Sequence, residues 1–195
     1  MMKRDAILVA AERLFSRNGF GLTGVDALAA AAGVTKRTLY KQFGSKEGLF
    51  AEWLRARDLR TRRSLLAAID ACAAAPGDRM LALFDILAQL AGNPGFHGCP
   101  FSRALLEFGD AAAHEASRQV AAAHKAELAR WFTAELAAAG VADPPAAAEE
   151  LALLYEGVLQ RIAATRSADA AHAAWRIWQA RLAALGVAMT EQSGP

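Results

Sequence analysis

The side chains best suited to chemistry lie between residues 35 and 43. They are Thr35, Lys36, Arg37, Thr38, Tyr40, Lys41 and Gln42, strung around the apolar pair Leu39 and Phe43. Leu39 and Phe43 are four residues apart and so share one face of a helix. Lys36, Arg37, Tyr40, Lys41 and Gln42 then fall on outer or flanking positions. Arg and Lys donate to guanine O6 and N7, and Gln pairs with adenine N6 and N7. Threonine and tyrosine hydroxyls suit phosphate oxygens, as do helix N-termini. A polar helix of this kind fills a DNA major groove with its N-terminal side chains at the base edges. Lys46 adds a cation within phosphate range. The plainer reading of the same residues is a helical hairpin with a solvated basic face.

Positioning such a helix requires a partner and a turn. Thr35 suits the N-cap of the polar helix. Upstream, Thr23 reads as the cap of a preceding helix, with Asp26 three residues on in a short-armed capping box. Val25, Leu28 and Ala29 make that helix's inner face, and Gly33 can take positive φ to end it. Two short helices, a three-residue turn with glycine and a polar second helix make a helix-turn-helix. Ahead of it, Ile7, Ala11, Leu14 and Phe15 form one apolar stripe that Gly19 terminates.

Nothing else in the chain assembles a catalytic set. His97, His114, His124 and His172 lack an i, i+4 partner or carboxylates at ligand spacing, so no metal is expected. Glu107, Glu149 and Glu150 are lone carboxylates, with no nucleophile–base constellation and no glycine-rich phosphate loop. The expectation is a non-enzyme without a cofactor. Cys72 and Cys99 are too few for a disulfide framework and fit a reducing compartment. Cys99 sits at a helix start with Arg103 one turn on, and both features favour a thiolate. It is therefore either a sensor of oxidants or electrophiles, or a small packing residue. Cys72, set among alanines, reads as packing.

Residues 4–54 resemble the N-terminal domain of TetR-family transcriptional regulators. The pattern is carried by Ile7-Leu8 with Ala10-Ala11, Leu14-Phe15, Gly19-Phe20, Thr23 with Val25, Leu28-Ala29, Ala32-Gly33-Val34-Thr35, Thr38-Leu39-Tyr40 with Phe43, and Ser45-Lys46-Glu47 with Leu49-Phe50. The resemblance implies a three-helix DNA-binding head on a helical effector and dimerisation body. It implies that Thr23, Thr35, Lys36, Arg37, Thr38, Tyr40, Lys41, Gln42 and Lys46 lie at the DNA side. Ala30 and Ala31 depart from the pattern where polar residues are common. Gly98-Cys99 followed by Glu107 resembles an element of one branch of the family.

The rest of the chain agrees with an all-helical protein. Alanine makes up 49 of 195 residues, and alanine favours helices over strands. Glycine and proline breaks mark about nine helices, at 3–18, 25–32, 36–43, 46–75, 78–91, 100–109, 114–139, 144–166 and 169–185. The expected division is a helix-turn-helix domain at 1–46 and a helical ligand-binding and dimerisation domain at 47–195. Residues 1–63 hold 13 Lys/Arg against 6 Asp/Glu, whereas residues 64–195 hold 9 against 14. A basic head on an acidic body suits a polyanion partner for the head alone. Arg55, Arg57, Arg60, Arg62 and Arg63 extend that charge, as long-range attraction to DNA or as a solvated helix face. Glu12-Arg13 interrupt the one apolar run that imitates a signal peptide, and no run reaches 18 residues. A cytoplasmic protein with no membrane partner is expected.

In the body, Phe84, Cys99, Phe101, Phe108, Trp131 and Tyr155 are candidate pocket residues, since the resemblance implies an effector site there. Leu151, Tyr155 and Val158, with Ile177, Trp178 and Leu182, give the last two helices faces too apolar for a free surface. Paired with a copy, they would complete a four-helix bundle. Together these readings describe a homodimeric regulator, a repressor released from a palindromic operator by an unidentified small molecule. The alternatives are release by oxidation or alkylation of Cys99, and a ligand-binding protein whose head no longer binds DNA.

Overall fold

The computed structural model describes residues 3–108 and 111–190. Among them the chain forms nine α-helices and no strand. They are α1 (Lys3–Asn18), α2 (Val25–Ala32), α3 (Lys36–Phe43), α4 (Lys46–Cys72), α5 (Pro76–Ala88), α6 (Pro100–Phe108), α7 (Glu115–Ala138), α8 (Pro144–Thr165) and α9 (Asp169–Ala184). Short 3-10 turns occur at Gln89–Gly92 and Ala112–His114. The expected end of the sixth helix at residue 109 lies outside the described residues. Pro76-Gly77, read as a break, instead opens α5, with Ala75 as its N-cap. Proline at the first helical position lacks only an N–H that has no helical partner there.

The contacts divide the chain into two compact units. The first takes residues 3–60 together with 99–124, and the second takes 61–98 together with 125–190. The first unit is therefore larger than a head of 46 residues, because the start of α4, α6 and the start of α7 share its core. Ile7, Phe15, Leu28, Leu39, Leu49, Phe50, Trp53, Phe101 and Phe108 build that core. Its centre is aromatic: Phe20 meets Phe50 and Phe108 edge-on at 5.2 and 5.1 Å, and Phe15 meets Phe50 at 4.9 Å. Such pairs add about 0.5–1.5 kcal/mol each beyond the area they bury.

Glu12 joins α1 to α4 beside that core. Its carboxylate accepts from the Trp53 indole at 2.9 Å and from Ser16 at 3.0 Å, and pairs with Arg57 and Arg60. Burial pushes this carboxyl up, but Arg57, Trp53, Arg60 and Ser16 together hold it below its ordinary value.

In the second unit α5 and α8 pack on α9. Met80, Leu83, Phe84, Leu151, Tyr155, Ile162, Trp175, Trp178 and Leu182 are among its buried residues. Arg79 of α5 bonds Glu135 of α7 at 3.0 Å and Asp70 of α4 at 2.6 Å. The terminal stretch is held by Thr190, whose N–H and hydroxyl donate to the buried Asp78 carboxylate at 3.0 and 2.8 Å.

Of the expected interface residues, Leu151, Tyr155, Val158, Trp178 and Leu182 are buried in their own unit, while Ile177 stays exposed; Val158 and Ile177 both line the groove between α8 and α9. The apolar residues left outside on the same helices are Leu153, 67% exposed, and Ile177, 55% exposed. Between α8 and α9 an open groove of about 490 Å³ runs past Leu153, Gly157, Arg161, Ala173 and Ile177. The expected pocket residues belong to both units. Phe101 stacks on His124 at 3.7 Å and Phe108 on His114 at 4.0 Å in the first unit. Phe84 and Tyr155 are buried in the second unit, where Trp131 is half-buried against Phe132. None of the six lines the groove.

Candidate nucleic-acid interface

The polar helix is built from its cap inward. The Thr35 hydroxyl accepts from the Thr38 N–H at 3.2 Å, which makes Thr35 the N-cap of α3. The two threonine hydroxyls also bond one another, at 3.0 Å. Leu39 anchors the helix by full burial, and Phe43 is half-buried. The consequence is the expected outer face: Lys36, Arg37, Tyr40, Lys41 and Gln42 are all exposed. Gly33 takes φ 63° after α2 and turns the chain toward α3. A residue with a Cβ is strained in that left-handed conformation.

Three details of the sequence reading change. Thr23 is 1% exposed, and its hydroxyl donates to the Gly19 carbonyl at 2.6 Å. The N-cap of α2 is Gly24, with no side-chain cap bond. Thr23 is thus a buried tie between α2 and the end of α1, and the capping box with Asp26 does not form. The reason is register. The chain turns one residue later than the threonine suggested, so its side chain points back at α1. Asp26 instead pairs across to Lys36, Nζ to Oδ1 at 2.7 Å. That hydrogen bond and charge raise the Lys36 ammonium above its ordinary value. Lys46 lies over the Phe20 ring at 3.9 Å. There burial pushes its ammonium down, against the opposing pull of Glu47 and Glu107.

Four of the five arginines of α4 are engaged within the protein. Arg55 pairs with Glu52 at 2.5 Å, Arg57 and Arg60 with Glu12, and Arg62 with Glu127 at 3.9 Å. This favours the helix-face reading over long-range attraction to DNA.

Cys99 is half-buried against the first unit's core. The Arg103 guanidinium is turned to the end of α1, 3.5 Å from the Ser16 carbonyl. It fills the space a side chain at Gly19 would need. One turn further along α6, Glu107 accepts the Gly21 N–H at 3.0 Å. Arg103 and Glu107 therefore clasp the turn between α1 and α2. Sequence reading also missed the partner of His124, whose Nδ1 lies 2.7 Å from Asp58. The two are 66 positions apart, so no local spacing signals the pair.

Comparison with known proteins now bears on this geometry. Residues 7–53 match the model of the bacterial regulatory proteins of the tetR family. A crystal structure of a candidate TetR transcriptional regulator from Streptomyces avermitilis is 33% identical, with a TM-score of 0.85. That similarity covers 96% of this chain and 100% of that one. The chain belongs to the TetR family. SCO4454, a TetR-family transcriptional regulator from Streptomyces coelicolor, is 26% identical over 91% of this chain and 90% of that one, with a TM-score of 0.75. Two uncharacterised HTH-type transcriptional regulators of Mycobacterium tuberculosis are 34% identical over 91 residues, 46% of this chain. The chain matches 45% of the length of those curated relatives. As a family member, this chain carries the family's helix-turn-helix in α2 and α3. Among the described residues no helix is long and apolar enough to cross a membrane.

Proposed function

We propose that this TetR-family chain is a homodimeric transcriptional repressor, each head reading one half of a near-palindromic operator. The observation that carries the reading is α3. Its one deep anchor, Leu39, leaves Arg37, Tyr40, Lys41 and Gln42 free to enter a major groove. Arg37 near the N-terminus of α3 is the principal base reader, and Thr35, Thr38 and Tyr40 serve phosphates. Thr23 drops out of this set because it is buried, with 1% of its surface exposed.

The dimer forms through the outer face of α8 and α9, around Leu153 and Ile177. Exposed apolar residues beside an apolar groove support this, and a second copy gives them a four-helix bundle. A small-molecule effector acts through the second unit. Both α4 and α7 begin in one unit and end in the other, so either can pass a shift to the head. The effector must bind the non-DNA conformer more tightly, by a coupling of about 1–3 kcal/mol. The clasp of Arg103 and Glu107 on residues 19–21 gives α6 a direct hold on the head.

Binding to DNA upstream of the protein's own gene tests the reading, compared with a scrambled duplex at several salt concentrations. Arg37→Ala is expected to lose about 1–3 kcal/mol on the specific duplex and much less on the scrambled one. Equal losses on both would remove Arg37 as a base reader. Salt-independent or absent binding would leave a ligand-binding protein with an inactive head.

A further inference from the structure

Between residues 24 and 44 the chain carries three cations, Lys36, Arg37 and Lys41, and one carboxylate, Asp26. That carboxylate sits in the first turn of α2, yet it caps nothing there. It reaches across the turn to Lys36, the first residue of α3, at 2.7 Å. The pair is open to solvent, with the Lys36 and Asp26 side chains 54% and 81% exposed. It therefore lies on the solvent side of α2 and α3 rather than in the packing beneath them. Arg37 and Lys41, the other two cations, have no ion pair among the described residues.

We propose that Asp26 is a specificity-determining residue, holding the Lys36 ammonium on the protein so that Lys36 meets a DNA phosphate only by breaking the pair. This rests on the proposed DNA-binding role of α3. Non-specific affinity comes almost wholly from phosphate contacts. Such a complex has no fixed register, so a released Lys36 would settle on whichever phosphate is near. In a specific complex, base contacts select one site for α3, and Lys36 stays with Asp26. The carboxylate thus subtracts a cation from non-specific binding more than from specific binding. An exposed pair is weak, which sets the scale: a bias of a few-fold.

Asp26→Asn keeps the size of the side chain and removes the charge. Its binding is measured on a scrambled duplex and on a duplex carrying the sequence footprinted upstream of the gene. The variant is expected to bind the scrambled duplex about two- to fivefold more tightly. The slope of log affinity against log salt is expected to steepen by about 0.9, the value for one more phosphate contact. The footprinted duplex should gain less than half as much. In a Lys36→Gln background the same change should have no effect on the scrambled duplex. An equal gain on both duplexes, or no gain on the scrambled one, overturns the proposal. So does a gain that survives Lys36→Gln, because the carboxylate would then repel phosphates directly. A parent protein that binds neither duplex in a salt-dependent way overturns the DNA-binding reading and this inference with it. A parent that binds, with a variant that behaves like it, overturns the inference alone.

Discussion

The α3 helix and the α8–α9 pair are both amphipathic, but only α3 could be oriented from its own residues. In α3 every apolar residue except one partly exposed tyrosine lies on a single face, and every other residue is charged or polar. There is one way to bury such a helix. In α9, Trp175, Trp178 and Leu182 recur at i, i+3 and i+7, while Ile177 lies nearly opposite Trp175. Most of the rest is alanine, which is content on either side. The same holds in α8, where Leu151, Tyr155 and Val158 point one way and Leu153 the other. A helix with two apolar arcs has two self-consistent orientations. The choice in the second unit falls to α5, which packs on α9 and claims the tryptophan face.

The sharpest way to break this comparison is to place a charge on each arc of α9. Trp178→Glu puts a carboxylate into a site 1% exposed. It is expected to destabilise the protein by about 3–5 kcal/mol and to abolish the cooperative thermal transition of the second unit. Ile177→Glu should keep the helical circular-dichroism signal of the folded chain, since the site is 55% exposed within one chain. It should instead shift the sedimentation profile toward monomer. If Ile177→Glu remains dimeric at micromolar concentration, the outer arc is not the interface.

A smaller loss is expected where the first unit relies on charge instead of apolar area. Glu12→Gln strips the partner from Arg57 and Arg60 beside Trp53. We expect a loss of about 2–3 kcal/mol at pH 7 in denaturant melts. Because the folded carboxyl sits below its ordinary value of 4.5, its stabilisation is fully present above that value. It fades as pH falls through the lower folded value. The gap between parent and Glu12→Gln should hold from pH 7 to pH 6 and close in acid. A gap that widens in acid contradicts the depressed carboxyl.

The smallest effect concerns Thr23, buried against the end of α1. Thr23→Val keeps shape and deletes the bond to Gly19. It should cost about 1 kcal/mol of stability while leaving the affinity for DNA unchanged. A loss of affinity in the folded variant would mean that Thr23 turns outward on DNA. That would weaken the contrast between an α3 face exposed in advance and an α2 entrance packed against α1.

Much of this molecule was legible because local rules are strong where glycine, proline and caps punctuate an alanine-rich chain. The positions of α1, α2 and α3 follow from Gly19, Gly33 and Thr35, whose effects act over four residues or fewer. The polar face of α3 follows from the helical period and two apolar residues. What the sequence by itself determined is therefore the all-helical class, the bounds of most helices and the face of α3.

Tertiary structure decided the rest. It turned Thr23 inward, because Gly24 and not Thr23 begins α2. It gave Asp26 to Lys36 and His124 to Asp58, pairings across a turn and across 66 positions. It placed Phe101 and Phe108 in the core of the first unit and buried Phe84 in the second. It chose the buried arc of α8 and α9. In each case the deciding atom belongs to a different element. Periodicity states which residues of a helix share a face, but only the neighbour that covers a face determines that it is the inner one.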